Sequence, residues 1–225
     1  MKKLGILTIG QSPRPDILQD LMPVFGENTA LIEAGALDGL SEEEIKKLSP
    51  GEEERMLVTR LSDGTEVHVA EEKLTACMQK KIYEMETAGV DCILLLCTAA
   101  FHGLRCGVPL IEPRKILNRL VPLKSPDSSI GVLSPEAEQV EATKKDWHGI
   151  INHLEVLTAS PYGSMKEIER AAEQFSSMNI DFVVLDCMGY TEAIRRQIEV
   201  ISGKTVILSK TLAAQRVMEI LEEQQ

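Results

Sequence analysis

The sequence predicts an α/β fold of two pseudo-symmetric lobes, each with a parallel sheet, and a β-hairpin insertion in the first lobe. Short apolar runs alternate with helical stretches along the 225 residues, which is typical of parallel strands joined by crossover helices. Two of these runs, residues 90–99 and 180–189, are similar and carry Cys97 and Cys187 near their ends. We therefore expect a duplicated unit with one thiol at the end of a strand in each copy.

The apolar runs and the helical stretches between them give the order of elements. Strands are predicted in the first half at residues 4–9, 29–34, 91–97 and 108–111, and in the second half at 130–133, 153–158, 181–187 and 205–208. Helices are predicted at about 13–25, 71–88, 113–121, 135–149, 164–178, 190–201 and 210–223. Ser12-Pro13 and Ser134-Pro135 follow the first strand of each half, where serine is a good N-cap and proline a good first helical residue.

The turn-forming segment at residues 124–128 predicts the boundary between two lobes, 1–123 and 124–225, with the last helix packing on the first lobe. The first half is longer because of residues 35–70. This insertion contains an acidic helix after Ser41 and a hairpin around Ser62-Asp63-Gly64, since Asp-Gly between two β-type runs is a strong hairpin signal. Edge decoration, a contact in a homodimer and a lid remain open as its role.

The charge of the chain limits its partners. The formal net charge is -11, which disfavours nucleic acid and anionic membranes because both require a cationic surface. A small anion remains possible, since local donors outweigh a distant charge that is screened over about 10 Å. No apolar run is long enough to span a bilayer, and the apolar start after Met1-Lys2-Lys3 is too short for a signal peptide, so we expect a cytoplasmic protein.

Cysteine usage and glycine patterns argue against several site types. The chain has five cysteines, an odd number with no Cys-x-x-Cys pair, which disfavours a disulfide framework. Paired Cys/His spacing is absent, so we predict no metal site. The loop after the first strand is neither a phosphate-binding Walker loop nor a dinucleotide-binding Gly-x-Gly-x-x-Gly, and we predict no cofactor.

Cys97 and Cys187 are the candidate catalytic residues. Ligands of α/β sheets bind at the carboxyl ends of the strands, where both thiols are expected, and a following helix N-terminus lowers the pKa of a thiol from about 8.5. Two thiols directed to one cleft would remove a proton from one face of a carbon and return it to the other. The alternative is that both are packing residues, since cysteine is often buried.

Other residues at the predicted strand ends are candidates for binding a substrate anion. The loop after the first strand offers an amide, a hydroxyl and a guanidinium from Gln11, Ser12 and Arg14, although Ser12 alone would also suit an ordinary helix cap. Thr98 and Ala99 follow Cys97 and supply backbone N–H groups.

In the second half, Ser134 opens a helix on the side of the predicted cleft. Asp186 precedes Cys187 and should point the opposite way, and Arg114 is a candidate ion partner.

Four segments resemble the AroM family. They are residues 4–16 (LGILTIGQSPRPD), 93–99 (ILLLCTA), 111–117 (IEPRKIL) and 184–190 (VLDCMGY). AroM proteins are in turn similar to the aspartate/glutamate/hydantoin racemase superfamily, which has two pseudo-symmetric α/β lobes and cofactor-free chemistry in the cleft between them.

This resemblance implies that Cys97 and Cys187 are a catalytic acid–base pair in a racemase-like isomerase. The racemases hold their substrate with Asn-Thr after the first cysteine and Thr after the second, whereas this chain has Thr98-Ala99 and Met188. A less polar small carboxylate is therefore expected as substrate, bound by residues at the cleft. These are Gln11, Ser12, Arg14, Thr98, Ala99, Ser134 and Met188. The alternatives are a decarboxylase or cis–trans isomerase of the same superfamily, and a non-catalytic module that binds a small anion.

Overall fold

The computed structural model describes residues 1–124 and 129–223, of which residues 120–124 are described by their backbone alone. The described chain divides into two compact units, Met1–Pro113 with Ala213–Gln225, and Arg114–Leu212. Helix α5 (Pro113–Lys124) thus falls almost wholly in the second unit, whereas the sequence predicts its residues up to 123 to lie in the first lobe. Leu117 explains this placement, because it is buried in a core cluster with Trp147. Apart from Lys124, the predicted linker at 124–128 lies outside the described residues.

The first unit contains a four-stranded sheet with the order β2-β1-β5-β6 and parallel pairing throughout. Its strands are β1 (Lys2–Thr8), β2 (Thr29–Gly35), β5 (Cys92–Leu95) and β6 (Leu110–Ile111). Two short helices, α1 (Pro15–Leu18) and α2 (Met22–Phe25), join β1 to β2, and the long helix α4 (Glu71–Thr87) precedes β5. The single helix predicted at 13–25 is therefore divided in two, and Pro23 stands in the first turn of the second piece.

The second unit contains a four-stranded parallel sheet with the order β10-β9-β7-β8. Its strands are β7 (Ser129–Ser134), β8 (His153–Thr158), β9 (Phe182–Leu185) and β10 (Thr205–Leu208). The helices between the strands are α6 (Val140–Trp147), α7 (Met165–Ser177) and α8 (Glu192–Ser202), and a 3₁₀ turn (Ala137–Gln139) precedes α6. Helix α9 (Ser209–Glu223) begins after β10, and its residues from Ala213 onward belong to the first unit.

The two sheets have the same topology. In each unit the strands are ordered second, first, third, fourth along the sheet. Leu7 pairs with Leu95 in the first sheet, and Leu133 pairs with Leu185 in the second. This shared order and register confirm the predicted α/β fold with a parallel sheet in each repeat.

Strand β9 of the second sheet is apolar throughout because both of its faces are covered. Val183 and Leu185 contribute to one buried cluster with residues of α7 and α8, whereas Phe182 and Val184 contribute to another with Trp147. Successive residues of a strand point to opposite faces, so one continuous apolar run fills two cores.

The inserted hairpin is present where it was predicted. Strands β3 (Met56–Arg60) and β4 (Glu66–Ala70) pair antiparallel. The acidic helix α3 (Glu42–Lys47) begins with a capping box, in which Ser41 accepts from the Glu44 N–H and the Glu44 side chain accepts from the Ser41 N–H. In the described part of the chain, no helix is both long and apolar enough to cross a membrane.

Candidate functional site

The two candidate thiols occupy equivalent positions in their own units. The predicted strands extend to each cysteine, but β5 ends at Leu95 and β9 at Leu185, so Cys97 and Cys187 lie in the loops just beyond. The intervening residues make matching contacts: Leu96 N–H donates to Leu7 O at 2.8 Å, and Asp186 N–H donates to Leu133 O at 3.0 Å. Strand register therefore delivers each thiol to the carboxyl edge of its sheet.

The loop conformation around the two thiols is also repeated. The N–H of Ala99 donates to Cys97 Sγ at 3.4 Å, and the N–H of Gly189 donates to Cys187 Sγ at the same distance. Both cysteines are partly buried and neither is in a disulfide. A backbone N–H directed at sulfur stabilises the thiolate relative to the thiol, which suits a group that exchanges protons.

Cys92 is a structural cysteine. It is fully buried in β5, and this burial raises the pKa of its thiol to about 12. Cys106 is less buried, but burial raises the pKa of its thiol as well. Thiolate chemistry near neutral pH is thus disfavoured at both residues.

In the first unit, the loop after β1 is packed between two other segments. A Cβ at Gly10 would lie 2.3 Å from Arg60 O of the hairpin, and a Cβ at Gly35 would lie 2.4 Å from Gly10 O. Gln11 N–H donates to Arg60 O at 3.0 Å, and its side-chain oxygen accepts from the Ser62 N–H at 2.9 Å. The hairpin therefore packs at the carboxyl edge of the first sheet and fixes Gln11.

Ser12 and Arg14 are bound to carboxylates of their own unit. Ser12 donates its N–H and its hydroxyl to Asp38, at 2.8 and 2.6 Å. The guanidinium of the buried Arg14 pairs with both carboxylate oxygens of Asp16, at 2.8 and 2.7 Å, and its N–H donates to Glu33. The donors proposed for a substrate anion thus serve to build the loop.

This pairing is reflected in the acidity of Asp16. Burial raises the pKa of Asp16, but the hydrogen bonds and the charge of Arg14 outweigh burial and bring the pKa below its ordinary value of 3.8. The expected Ser12 cap is wrong as well, because α1 has Arg14 as its N-cap and Pro15 as its first residue.

Thr98 and Ala99 are both buried directly after Cys97. They follow β5, the neighbour of β1, so they leave the same edge of the sheet as the Gln11–Arg14 loop. Thr8, at the end of β1, is a further polar residue at this edge, and its side chain accepts from the Gly10 N–H at 3.4 Å. Thr8 is not among the predicted site residues, although aligning Gly5 with Gly131 in the repeat matches Thr8 to the predicted Ser134.

In the second unit, Ser134 ends β7 and is almost completely buried. Its hydroxyl accepts from Thr143 Oγ1 at 3.4 Å, and it is not the predicted helix cap, because the following 3₁₀ turn begins at Ala137 with Glu136 as its cap. Met188 is buried and directly follows Cys187. The Cys187 thiol is therefore followed by a buried apolar side chain, that of Met188.

The loop after Cys187 is held by two tyrosines. Tyr190 is fully buried and donates its hydroxyl to Ala159 O at 2.7 Å. Burial raises the pKa of Tyr190 well above its ordinary value, and the acidic groups of Cys187 and Asp186 add to this effect. Tyr162 lies so close that a Cβ on Gly189 would be 2.6 Å from its hydroxyl oxygen. No pattern in the sequence marks Tyr162 as a neighbour of this loop.

A buried ionic cluster lies beside Cys187. Asp186 accepts from Arg114 Nη2 with both oxygens, at 2.8 and 2.6 Å, and from Trp147 Nε1 at 3.0 Å. Arg114 Nη2 also lies 3.6 Å from Asp146, and its guanidinium carbon is 5.5 Å from the centroid of the Trp147 ring. The predicted ion pairing of Arg114 is thus made with the residue next to the thiol.

A pocket of about 500 Å³ opens in the second unit at the carboxyl ends of β7 and β8, beside α7. Its lining includes Glu136, Ser160 and Arg170, but none of the predicted site residues. Within the described ranges, no cluster of His, Cys, Asp and Glu could hold a metal ion. The repeated thiol loops, rather than this pocket, define the candidate site.

Comparison with solved structures places the fold. An allantoin racemase from Klebsiella pneumoniae has a TM-score of 0.64 and 11% identity, with 99% of this chain and 88% of that chain covered. A glutamate racemase from Bacillus anthracis has a TM-score of 0.64 and 14% identity, covering 99% and 82%. The maleate isomerase from Pseudomonas putida S16 has a TM-score of 0.63 and 12% identity, covering 98% and 93%. The chain therefore has a racemase-like fold.

Comparison at the level of sequence gives the family. No curated protein matches this sequence significantly. The family model described as AroM protein matches residues 4–221, which is almost the entire sequence. The chain therefore belongs to the AroM family.

Proposed function

We propose that the protein is a cofactor-independent, racemase-like isomerase that uses Cys97 and Cys187 to move a proton on a small carboxylate. The observation that carries this proposal is the repeated placement of the two thiols. Each lies two residues beyond the third strand of its sheet, and each accepts an N–H from the residue two positions later. Packing alone would not require the same sulfur contact in two units whose surrounding residues differ.

In the proposed reaction, one cysteine thiolate takes the proton from the carbon next to the substrate carboxylate. The C–H bond breaks, an S–H bond forms, and the electron pair is delocalised into the carboxylate as an enolate. The other thiol then breaks its S–H bond and delivers its proton to the opposite face of the same carbon. Positioned acids and bases and donors near the enolate oxygen lower this barrier.

The proposed substrate contacts lie at the same strand ends as the thiols. Thr98 offers a hydroxyl and an N–H after Cys97, Ala99 lies beside it, and Met188 presents an apolar side chain after Cys187. Ser134 ends the strand next to β9. Gln11, Ser12 and Arg14 act on the substrate through the loop they build, because Arg14 would have to give up Asp16 to bind an anion directly.

A second candidate is a cis–trans isomerase in which one thiol is a nucleophile. The unequal neighbours of the two cysteines favour it: Leu96 precedes Cys97, whereas the ion-paired Asp186 precedes Cys187. The maleate isomerase that shares the fold is named for this type of reaction. Unequal loss of activity in the two cysteine variants would support this candidate over the symmetric pair.

The test is deuterium incorporation followed by proton NMR. The protein is incubated in D₂O with amino acids, 2-hydroxy acids, malonates and aromatic precursors, in parallel with Cys97→Ala, Cys187→Ala and the control Cys77→Ala. The native protein and the control are expected to incorporate deuterium into both enantiomers of one compound, whereas each active-site variant should lose incorporation into the enantiomer whose hydrogen faces the missing thiol. Incorporation into both enantiomers that survives in either active-site variant would contradict the two-thiol mechanism, and absence of exchange with all substrates would favour a small-anion-binding module.

The proposal also includes a cytoplasmic location and a homodimer. All five cysteines are free thiols, which suits a reducing compartment such as the cytoplasm. A homodimer remains a prediction, and light scattering coupled to gel filtration tests it.

A further inference from the structure

The two thiols differ in the charge of the residue before them. Asp186 and Leu96 occupy equivalent positions, because each donates its N–H to a leucine of the first strand of its own sheet. Asp186 donates to Leu133 O, and Leu96 donates to Leu7 O. Both side chains are buried, Leu96 at 3% exposure and Asp186 at 5%. Burying an unpaired carboxylate costs free energy, so Asp186 at this position requires hydrogen-bond and charge partners.

The compensation comes from elements distant in sequence. Arg114 of α5 and Trp147 of α6 are both buried and both donate to Asp186, and the fully buried indole leaves its N–H directed at a carboxylate oxygen. These bonds fix the backbone at Asp186 and therefore the direction in which Cys187 leaves the strand.

Other titratable groups of the second unit surround this loop. They come from the loop itself (Tyr190), from α6 (Asp146), from the segment after β7 (Glu136) and from the segment after β8 (Tyr162). Lys210 is fully buried, and the preceding Ser209 donates its hydroxyl to Leu185 O at the end of β9. Cys187 is thus partly buried next to a buried ion pair, where the loss of one charge changes the local potential more than it would in water.

We propose that the cluster of Asp186, Arg114 and Trp147 is a positioning device for Cys187 that sets the acidity of this thiol independently of Cys97. Asp186 opposes ionisation of the adjacent thiol, and Arg114 offsets that effect. The inference rests on the proposed function only in taking Cys187 as a reacting group.

The test measures thiol ionisation and requires no substrate. The full-length protein is alkylated with iodoacetamide over a range of pH, and the rate at each cysteine is read by peptide mass spectrometry. Asp186→Asn is expected to lower the midpoint pH for Cys187 by about one, a tenfold gain in thiolate, because a negative charge on the adjacent residue is removed. Arg114→Met is expected to raise the midpoint by a similar amount, and Arg114→Lys to restore it.

Two internal controls accompany these variants. Asp181→Asn removes a carboxylate at the opposite end of the same strand, where Asp181 accepts from the Ser129 N–H, and should leave the midpoint of Cys187 unchanged. Cys97 should keep its midpoint in every variant. Shifts of Cys187 in the same direction in Asp186→Asn and Arg114→Met, no shift in either, or an equal shift at Cys97 would overturn the proposal.

A measurement without charge substitutions covers the case in which those variants fail to fold. Trp147 is the single tryptophan of the chain and donates to Asp186, so its fluorescence reports on the cluster. A pH titration should show an inflection at the alkylation midpoint of Cys187, absent in Cys187→Ser and retained in Cys97→Ser. An inflection that persists in Cys187→Ser, or none in the native protein, would refute the coupling. Because no turnover is measured, failure here is distinct from failure of the isomerase proposal.

Discussion

Gly189 is the position where a single methyl group tests the architecture of the Cys187 loop. A Cβ there would lie 2.6 and 2.8 Å from the Oη and Cζ atoms of Tyr162 and 2.9 Å from Pro161 Cγ. The equivalent residue after Cys97 is Ala99, so the loop conformation itself accepts a side chain. Overpacking of this kind costs about 1–3 kcal/mol, and we expect Gly189→Ala to lower the free energy of unfolding by that amount.

The assay is urea unfolding of a double-mutant cycle with Tyr162→Ala. Since the tyrosine ring supplies the two shortest clashes, the double variant should be more stable than the sum of the single effects by at least about 1 kcal/mol. In Gly189→Ala the rate of alkylation should change at Cys187 but not at Cys97, because the clash moves the N–H of residue 189, which donates to Cys187 Sγ. Additive effects within about 0.5 kcal/mol, or an unchanged Cys187, would refute this reasoning.

Three further predictions concern the first unit. Arg14 holds the pKa of Asp16 below its ordinary value, so their pair stabilises the fold above about pH 4 and this stabilisation is lost as the pH falls. The difference in melting temperature between the native protein and Asp16→Asn should therefore become smaller towards pH 3. Cys92, with a thiol pKa near 12, should resist iodoacetamide at pH 9 until denaturant is added. Gly35→Ala should destabilise the protein by more than about 1 kcal/mol in urea, because its Cβ would lie 2.4 Å from Gly10 O.

The fold was predictable because its signals are local. The apolar runs around Leu95 and Leu185 mark buried strands without knowledge of any partner, and Ser62-Asp63-Gly64 marks a turn by its own conformational preferences. In the first unit the sequence predicts a strand that ends at Cys97, two residues after the observed end at Leu95, because apolar character continues into the loop. Backbone pairing, rather than hydrophobicity, ends the strand.

The chemistry around the thiols was only partly predictable because it depends on distant pairs. Ser12 meets Asp38 across 26 positions, and Arg114 meets Asp186 across 72. A sequence pattern marks donors such as Ser12 and Arg114 but not the distant carboxylates that engage them. The repeat gave the positions of Cys97 and Cys187, since equivalent strands in a duplicated sheet end at equivalent places.

The most direct test of the central claim is the rate of alkylation of each cysteine in the unmodified protein at pH 7. Cys97 and Cys187 occupy matched positions, and the sulfur of each accepts a backbone N–H. We predict that both react at least about tenfold faster than the partly buried Cys77, which lies on α4. Rates at Cys97 and Cys187 no higher than that at Cys77 would contradict the account.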